Sequence, residues 1–145
     1  LERYLARQGI KHFIIGGFSS GGYPSLYTAA RMKPLGYVGY SLISDLSGRA
    51  YRVPSYYEAL RDKITPDLFL SAGEIMQLRT STETPFHIIY GGLAPKDREQ
   101  AQLLEGHDNV HLTELADCNH ETTSMMLEKR CFNDIYERML QEAGL

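Results

Sequence analysis

The stretch FIIGGFSSGGYPSLYTAA, residues 13–30, decides the fold. Three apolar residues, Phe13 to Ile15, lead into glycines and a serine pair, and a helical pattern follows. Gly17, Ser19 and Gly21 match G-x-S-x-G in register. With ordinary Gly and Ser frequencies that pattern arises by chance in about one chain of this length in twenty, so its context carries the weight. A buried strand, a tight turn and a helix are what lift a serine hydroxyl above a sheet. Small residues at 17 and 21 let the chain turn sharply and let helix and strand pack closely. Ser20 fails the same test, because Phe18 occupies a position that needs a small residue. The plainer alternative is a Ser/Gly turn at a helix N-terminus that holds an anion or nothing.

Working outward, strands alternate with helices. Residues 2–8 make a helical turn or two before Gly9. KHFIIGGFS is a short strand, and 20–32 a helix with Leu26, Ala29, Ala30 and Met32 inward. GYVGYSLIS (36–44) is a second strand. Residues 55–64 and 66–79 carry helical periodicity within a Pro-punctuated stretch. PFHIIYGG (85–92) is a third strand, DREQAQLLEG (97–106) a helix, NVHLTELA (109–116) a fourth strand, and 122–143 one long terminal helix. This alternation predicts an α/β fold, a parallel sheet flanked by helices and joined by right-handed crossovers.

Bulk properties narrow the function. At 145 residues the chain makes one domain with a real core. It is 43% hydrophobic and 23% charged, with a net charge of −3 and no basic stripe, which argues against nucleic acid as partner. No apolar run is long enough for a membrane span. Two cysteines, Cys118 and Cys131, are too few for a disulfide framework and fit a reducing, cytoplasmic setting. His107, His111, Cys118 and His120 lack the paired spacing of a metal site, so no metal is expected. GGFSSGGY is neither a P-loop nor a dinucleotide turn, so no cofactor is expected.

FIIGGFSSGGY, IIYGG and LADCNHE together resemble the α/β-hydrolase superfamily, from its nucleophile turn onward. The resemblance implies a triad in the chain order Ser, Asp or Glu, His, which Ser19, Asp97 and His120 satisfy. It implies Ser19 as nucleophile and His120, between the last strand and the terminal helix, as general base. The Ser20 backbone N–H is the expected oxyanion donor. His12 and His87 lie at strand starts, and His107 and His111 flank a turn, which suits them less.

The acid departs from the superfamily pattern. In GGLAPKD, Ala94 stands where the carboxylate often falls, and Asp97 comes three residues later. Asp97 reads equally as the triad acid or as the N-cap of the following helix. Asp45, after the second strand, is the runner-up. Asp117 and Glu121 are too close to His120 along the chain.

The superfamily also has strands and an oxyanion loop before its nucleophile turn, whereas few residues precede Gly17 here. The expectation is therefore a single α/β-hydrolase-like domain over 1–145 or its C-terminal half, incomplete at the N-terminus. A preceding polypeptide or a homo-oligomer should cover the strand edge near residues 12–16. A short cap-like insertion is expected around 46–80, where Tyr51, Tyr56, Tyr57, Leu68, Phe69 and Met76 either line a substrate pocket or cover the sheet. Two functions follow: a serine hydrolase (esterase- or thioesterase-like) or acyltransferase acting on a small-molecule ester or thioester, or a degenerate, non-catalytic module used for binding or scaffolding.

Overall fold

A computed structural model describes residues 1–47, 69–80 and 82–145. Helix α1 (Glu2–Arg7) precedes β1 (Ile14–Phe18), a single 3-10 turn (Ser19–Gly21) and α2 (Gly22–Arg31). Then come β2 (Gly36–Tyr40), α3 (Ala72–Gln77), β3 (Phe86–Gly91), α4 (Pro95–Gln102) and β4 (Val110–Leu115). Helices α5 (Thr122–Glu128) and α6 (Asp134–Glu142) close the chain.

The four strands form one sheet in the order β1-β2-β3-β4, every pair parallel. Among the described residues β1 and β4 are its edges. Successive strands step in one direction, so crossovers of one hand put their helices on one face. Leu26, Ala29 and Ala30 of α2, Ala72, Ile75 and Met76 of α3, and Ala101 of α4 pack there against Tyr37, Phe86 and Ile88. The alternate residues, Val38, Tyr40 and Ile89, meet Met126 of α5 and Met139, Ile135 and Tyr136 of α6 on the opposite face. With both faces covered, all five residues of β2 are buried, which explains its unbroken apolar reading.

Several boundaries differ from the sequence expectation for identifiable reasons. β2 stops at Tyr40, because Ser41 takes φ 41° and leaves the sheet. The terminal segment is two helices, broken where Arg130 adopts φ 55° and the Cys131 N–H reaches back to the Met126 carbonyl at 3.0 Å. That is an αL helix stop made without glycine. Of the expected cap-like stretch, 72–77 is a helix whose buried side chains join the core, started by a reciprocal Ser71–Glu74 capping box. The expected 55–64 helix, and Tyr51, Tyr56, Tyr57 and Leu68, lie outside the described residues. No helix among the described residues is long and apolar enough to cross a membrane.

Candidate active site

Every candidate group sits at the C-terminal end of a strand, where parallel α/β sheets leave their crevices. Ser19 follows β1 directly and takes φ 51°, a conformation L residues rarely adopt. Its carbonyl accepts the Ile43 N–H at 2.9 Å, which ties the turn to the loop beyond β2. The glycines around it differ in what they do. A Cβ on Gly17 would collide with the Ser25 hydroxyl and lie 2.9 Å from the Gly21 carbonyl oxygen. One on Gly22 would run into Leu42, with Leu42 Cα at 2.9 Å. One on Gly21 would meet nothing within 4 Å. Close packing of the turn therefore depends on Gly17 and Gly22, and the role expected of Gly21 is corrected.

Two side chains that sequence reading passed over support the turn. The Ser25 hydroxyl donates to the Gly22 carbonyl at 2.9 Å, and the Tyr37 hydroxyl donates to the same oxygen at 3.2 Å. Burial pushes the Tyr37 phenol well above its ordinary pKa, so it stays a donor. Ser25 reaches that carbonyl within its own helix, three residues on, whereas Tyr37 reaches it only once α2 lies on β2.

His120 is carried by the loop after β4. Its Nε2 stands 2.9 Å from Ser19 Oγ, and its Nδ1 stands 2.9 Å and 3.1 Å from the two Asp97 carboxylate oxygens. Phe18 lays its ring against the imidazole at a centroid distance of 5.2 Å. The loop is seated by close backbone contact with the end of β3. The Leu93 N–H donates to the Cys118 carbonyl at 2.9 Å, and the Gly92 N–H to the Leu115 carbonyl at 2.9 Å. A Cβ on Gly91 would strike the Asn119 carbonyl, and one on Gly92 would lie 2.7 Å from the Ala116 carbonyl oxygen. The two glycines of IIYGG thus make room for the histidine loop. Cys118 within it is buried, which raises its thiol pKa.

Asp97 is buried and occupies the third position of α4. The N-cap is Ala94, so the N-cap reading of Asp97 is corrected. One helical turn past Ala94 swings the carboxylate under His120. Asp45 is elsewhere: it accepts the Ser47 N–H at 2.7 Å and the Ala72 N–H at 3.0 Å, which holds the start of α3. Ser20 lies in the first turn after Ser19, where N–H groups lack intrahelical partners. His107, His111, Cys118 and His120 do not converge, and among the described residues no group of three or more His, Cys, Asp or Glu is placed to hold a metal ion.

No family model matches the sequence, and no curated protein matches it. Solved structures do match the fold. An alpha-beta hydrolase from Vibrio vulnificus superposes with a TM-score of 0.61 at 16% identity, over 94% of this chain and 52% of its own. A thermophilic esterase from Thermogutta terrifontis, solved with butyrate bound, gives 0.64 at 16% identity, over 98% of this chain and 62% of its own. A chain of the Glycosylation Associate Protein (Gap123) complex from Streptococcus agalactiae gives 0.55 at 20% identity, over 96% of this chain and 31% of its own. The chain thus spans about half of the Vibrio enzyme and under two thirds of the esterase.

Proposed function

We propose, from an α/β-hydrolase-like fold with Ser19, His120 and Asp97 at the C-terminal ends of its strands, that the protein is a serine hydrolase or acyltransferase acting on esters or thioesters. The observation that carries this is the bridging imidazole, 2.9 Å from Ser19 Oγ on one nitrogen and 2.9 Å from Asp97 on the other. A hydroxyl is a weak nucleophile until a base removes its proton as it attacks. His120 Nε2 takes that proton while Ser19 Oγ bonds to the acyl carbon. Asp97 accepts the Nδ1–H, which fixes the tautomer that leaves Nε2 free and stabilises the imidazolium. The Ser20 N–H donates to the oxygen that becomes negative in the tetrahedral intermediate. The intermediate collapses, the proton passes to the leaving alcohol or thiol, and an acyl-Ser19 remains. Water or an acceptor then attacks through the same base, so hydrolysis and acyl transfer use the same residues. Phe18, partly exposed beside Ser19, offers an apolar surface to the acyl or alcohol group.

The test is covalent labelling with a fluorophosphonate probe. Labelling of the intact protein at Ser19, abolished in Ser19→Ala and strongly slowed in His120→Ala, supports the proposal. Labelling at another serine, or none, overturns it. A second reading is a binding or scaffolding module without catalysis, since a fold of this kind does not by itself require a working nucleophile. It gains if the probe leaves the wild type unlabelled.

A further inference from the structure

Ser41 follows β2 directly, as Ser19 follows β1. Phe18 pairs in register with Tyr40, so the next residue of each strand sits at the same level of the sheet. Both take positive φ, 51° at Ser19 and 41° at Ser41. Two adjacent strands thus leave the sheet together through a backbone state that L residues avoid, and such states persist where the surroundings enforce them. At Ser41 the enforcing contacts are clear. Its N–H donates to the Ile89 carbonyl of β3 at 2.8 Å, and its hydroxyl lies 3.1 Å from the Thr122 hydroxyl, 81 residues away. Ser41 is 1% exposed and Thr122 is fully buried. Two buried hydroxyls satisfy one another here, where an apolar pair would ordinarily stand. Thr122 in turn donates its N–H to the His120 carbonyl at 2.9 Å.

We infer that Ser41 and Thr122 form a two-hydroxyl latch that sets the height of the His120 main chain above Ser19. The inference rests on the chemistry proposed above for Ser19 and His120. Asp97 governs rotation of the imidazole through its Nδ1 contact, while the latch fixes the backbone from which the ring projects. Both hydroxyls are positioning groups, since neither touches the reacting atoms. Their effect runs along one path: Ser41 holds Thr122, and Thr122 holds the carbonyl of the residue that carries the base. A shift of about 1 Å in a reacting pair costs up to roughly 100-fold in rate, so a small displacement is enough to read.

The experiment measures the rate of Ser19 labelling by a fluorophosphonate in the intact protein, separating initial binding of the probe from the bond-forming step. Variants are compared at a temperature where circular dichroism shows each to be folded. Thr122→Val and Ser41→Ala should slow the bond-forming step about 10–100-fold and leave initial binding unchanged. Thr122→Ser, which keeps the hydroxyl, should label within about threefold of wild type. Because either single change breaks the same contact, the double variant should be no slower than the slower single one. Should Thr122→Val fail to fold, Ser41→Ala carries the comparison. Wild-type rates in the hydroxyl-deleted variants, equal slowing by Thr122→Ser, or losses that multiply in the double variant overturn the latch and leave the proposed function standing. A wild type that is not labelled at Ser19 overturns both.

Discussion

Asp97 presents both carboxylate oxygens to a single atom, His120 Nδ1, at 2.9 Å and 3.1 Å. A carboxylate so placed holds one tautomer, and an amide in its place can turn its NH2 toward the ring and stabilise the wrong one. Asp97→Asn should therefore lower turnover of an activated ester on the order of 10³–10⁴-fold with little change in fold. Asp45 makes its bonds to Ser47 and to the start of α3. Asp45→Asn should cost about 1 kcal/mol of stability through the weakened helix start and leave turnover within a few-fold of wild type. Steady-state kinetics alongside urea melts check the pair, and a larger turnover loss in Asp45→Asn reverses the assignment.

The turn glycines make a graded prediction. At Gly22 the obstruction is the backbone of Leu42, which cannot swing away, and at Gly17 it includes the Gly21 carbonyl. Gly22→Ala and Gly17→Ala should each destabilise by about 1–3 kcal/mol or more, as overpacking does, and should slow Ser19 labelling. Gly21→Ala, with φ −69° and open space ahead of it, should stay within about 1 kcal/mol of wild type. Equal losses at 21 and 22 would contradict this account of the turn.

The fold was legible because its signals are local or periodic. All four strands were legible, since β1, β2 and β3 are short stretches rich in Ile, Val and aromatic residues between turn residues and β4 alternates. Ser19 and His120 stood out for the same reason: each lies in a short gap between a strand and a helix. What the sequence hid depends on tertiary placement. Asp97 divided evenly between two roles in the sequence, although Pro95, whose fixed φ suits a first helical position, is a local mark that α4 starts there and not at residue 98. The break after α5 was invisible because Arg130 adopts the αL stop usually left to glycine. Ser41 and Thr122 are ordinary hydroxyl residues until β2 and α5 lie side by side.

Arg130 itself yields a stability prediction. It is exposed and sits at φ 55°, where a Cβ crowds the following carbonyl at a cost of about 1–2 kcal/mol. Glycine relieves that crowding, although its freer unfolded chain offsets about 0.5–1 kcal/mol of the gain. Arg130→Gly should therefore stabilise by about 0.5–1 kcal/mol, raising the thermal midpoint by a few degrees. Arg130→Val, β-branched, should lower it. A lower midpoint for the glycine variant would mean that the arginine side chain matters more than the backbone strain.

The last prediction concerns His87, which pairs in register with His111 across β3 and β4 with ring centroids 4.9 Å apart. Burial, followed by the neighbouring His111 and then Arg138, lowers the His87 pKa below its ordinary 6.5, while Glu142 pulls it the other way. The folded protein therefore resists protonation at His87, and the unfolded chain does not. Below about pH 6.5 the unfolded state binds the extra proton first, so stability falls as pH falls, until the pH passes the lowered folded value and the loss levels off. Above pH 6.5 both states are neutral there and the contribution is complete. Thermal midpoints measured from pH 7.5 to pH 5 should thus decline less steeply in His87→Gln than in wild type. His111→Gln should flatten the slope by a smaller amount, since burial is the larger cause. Glu142→Gln should steepen it, because it removes a carboxylate that favours the imidazolium. Identical slopes for wild type and His87→Gln would show that His87 titrates alike in the folded and unfolded chains.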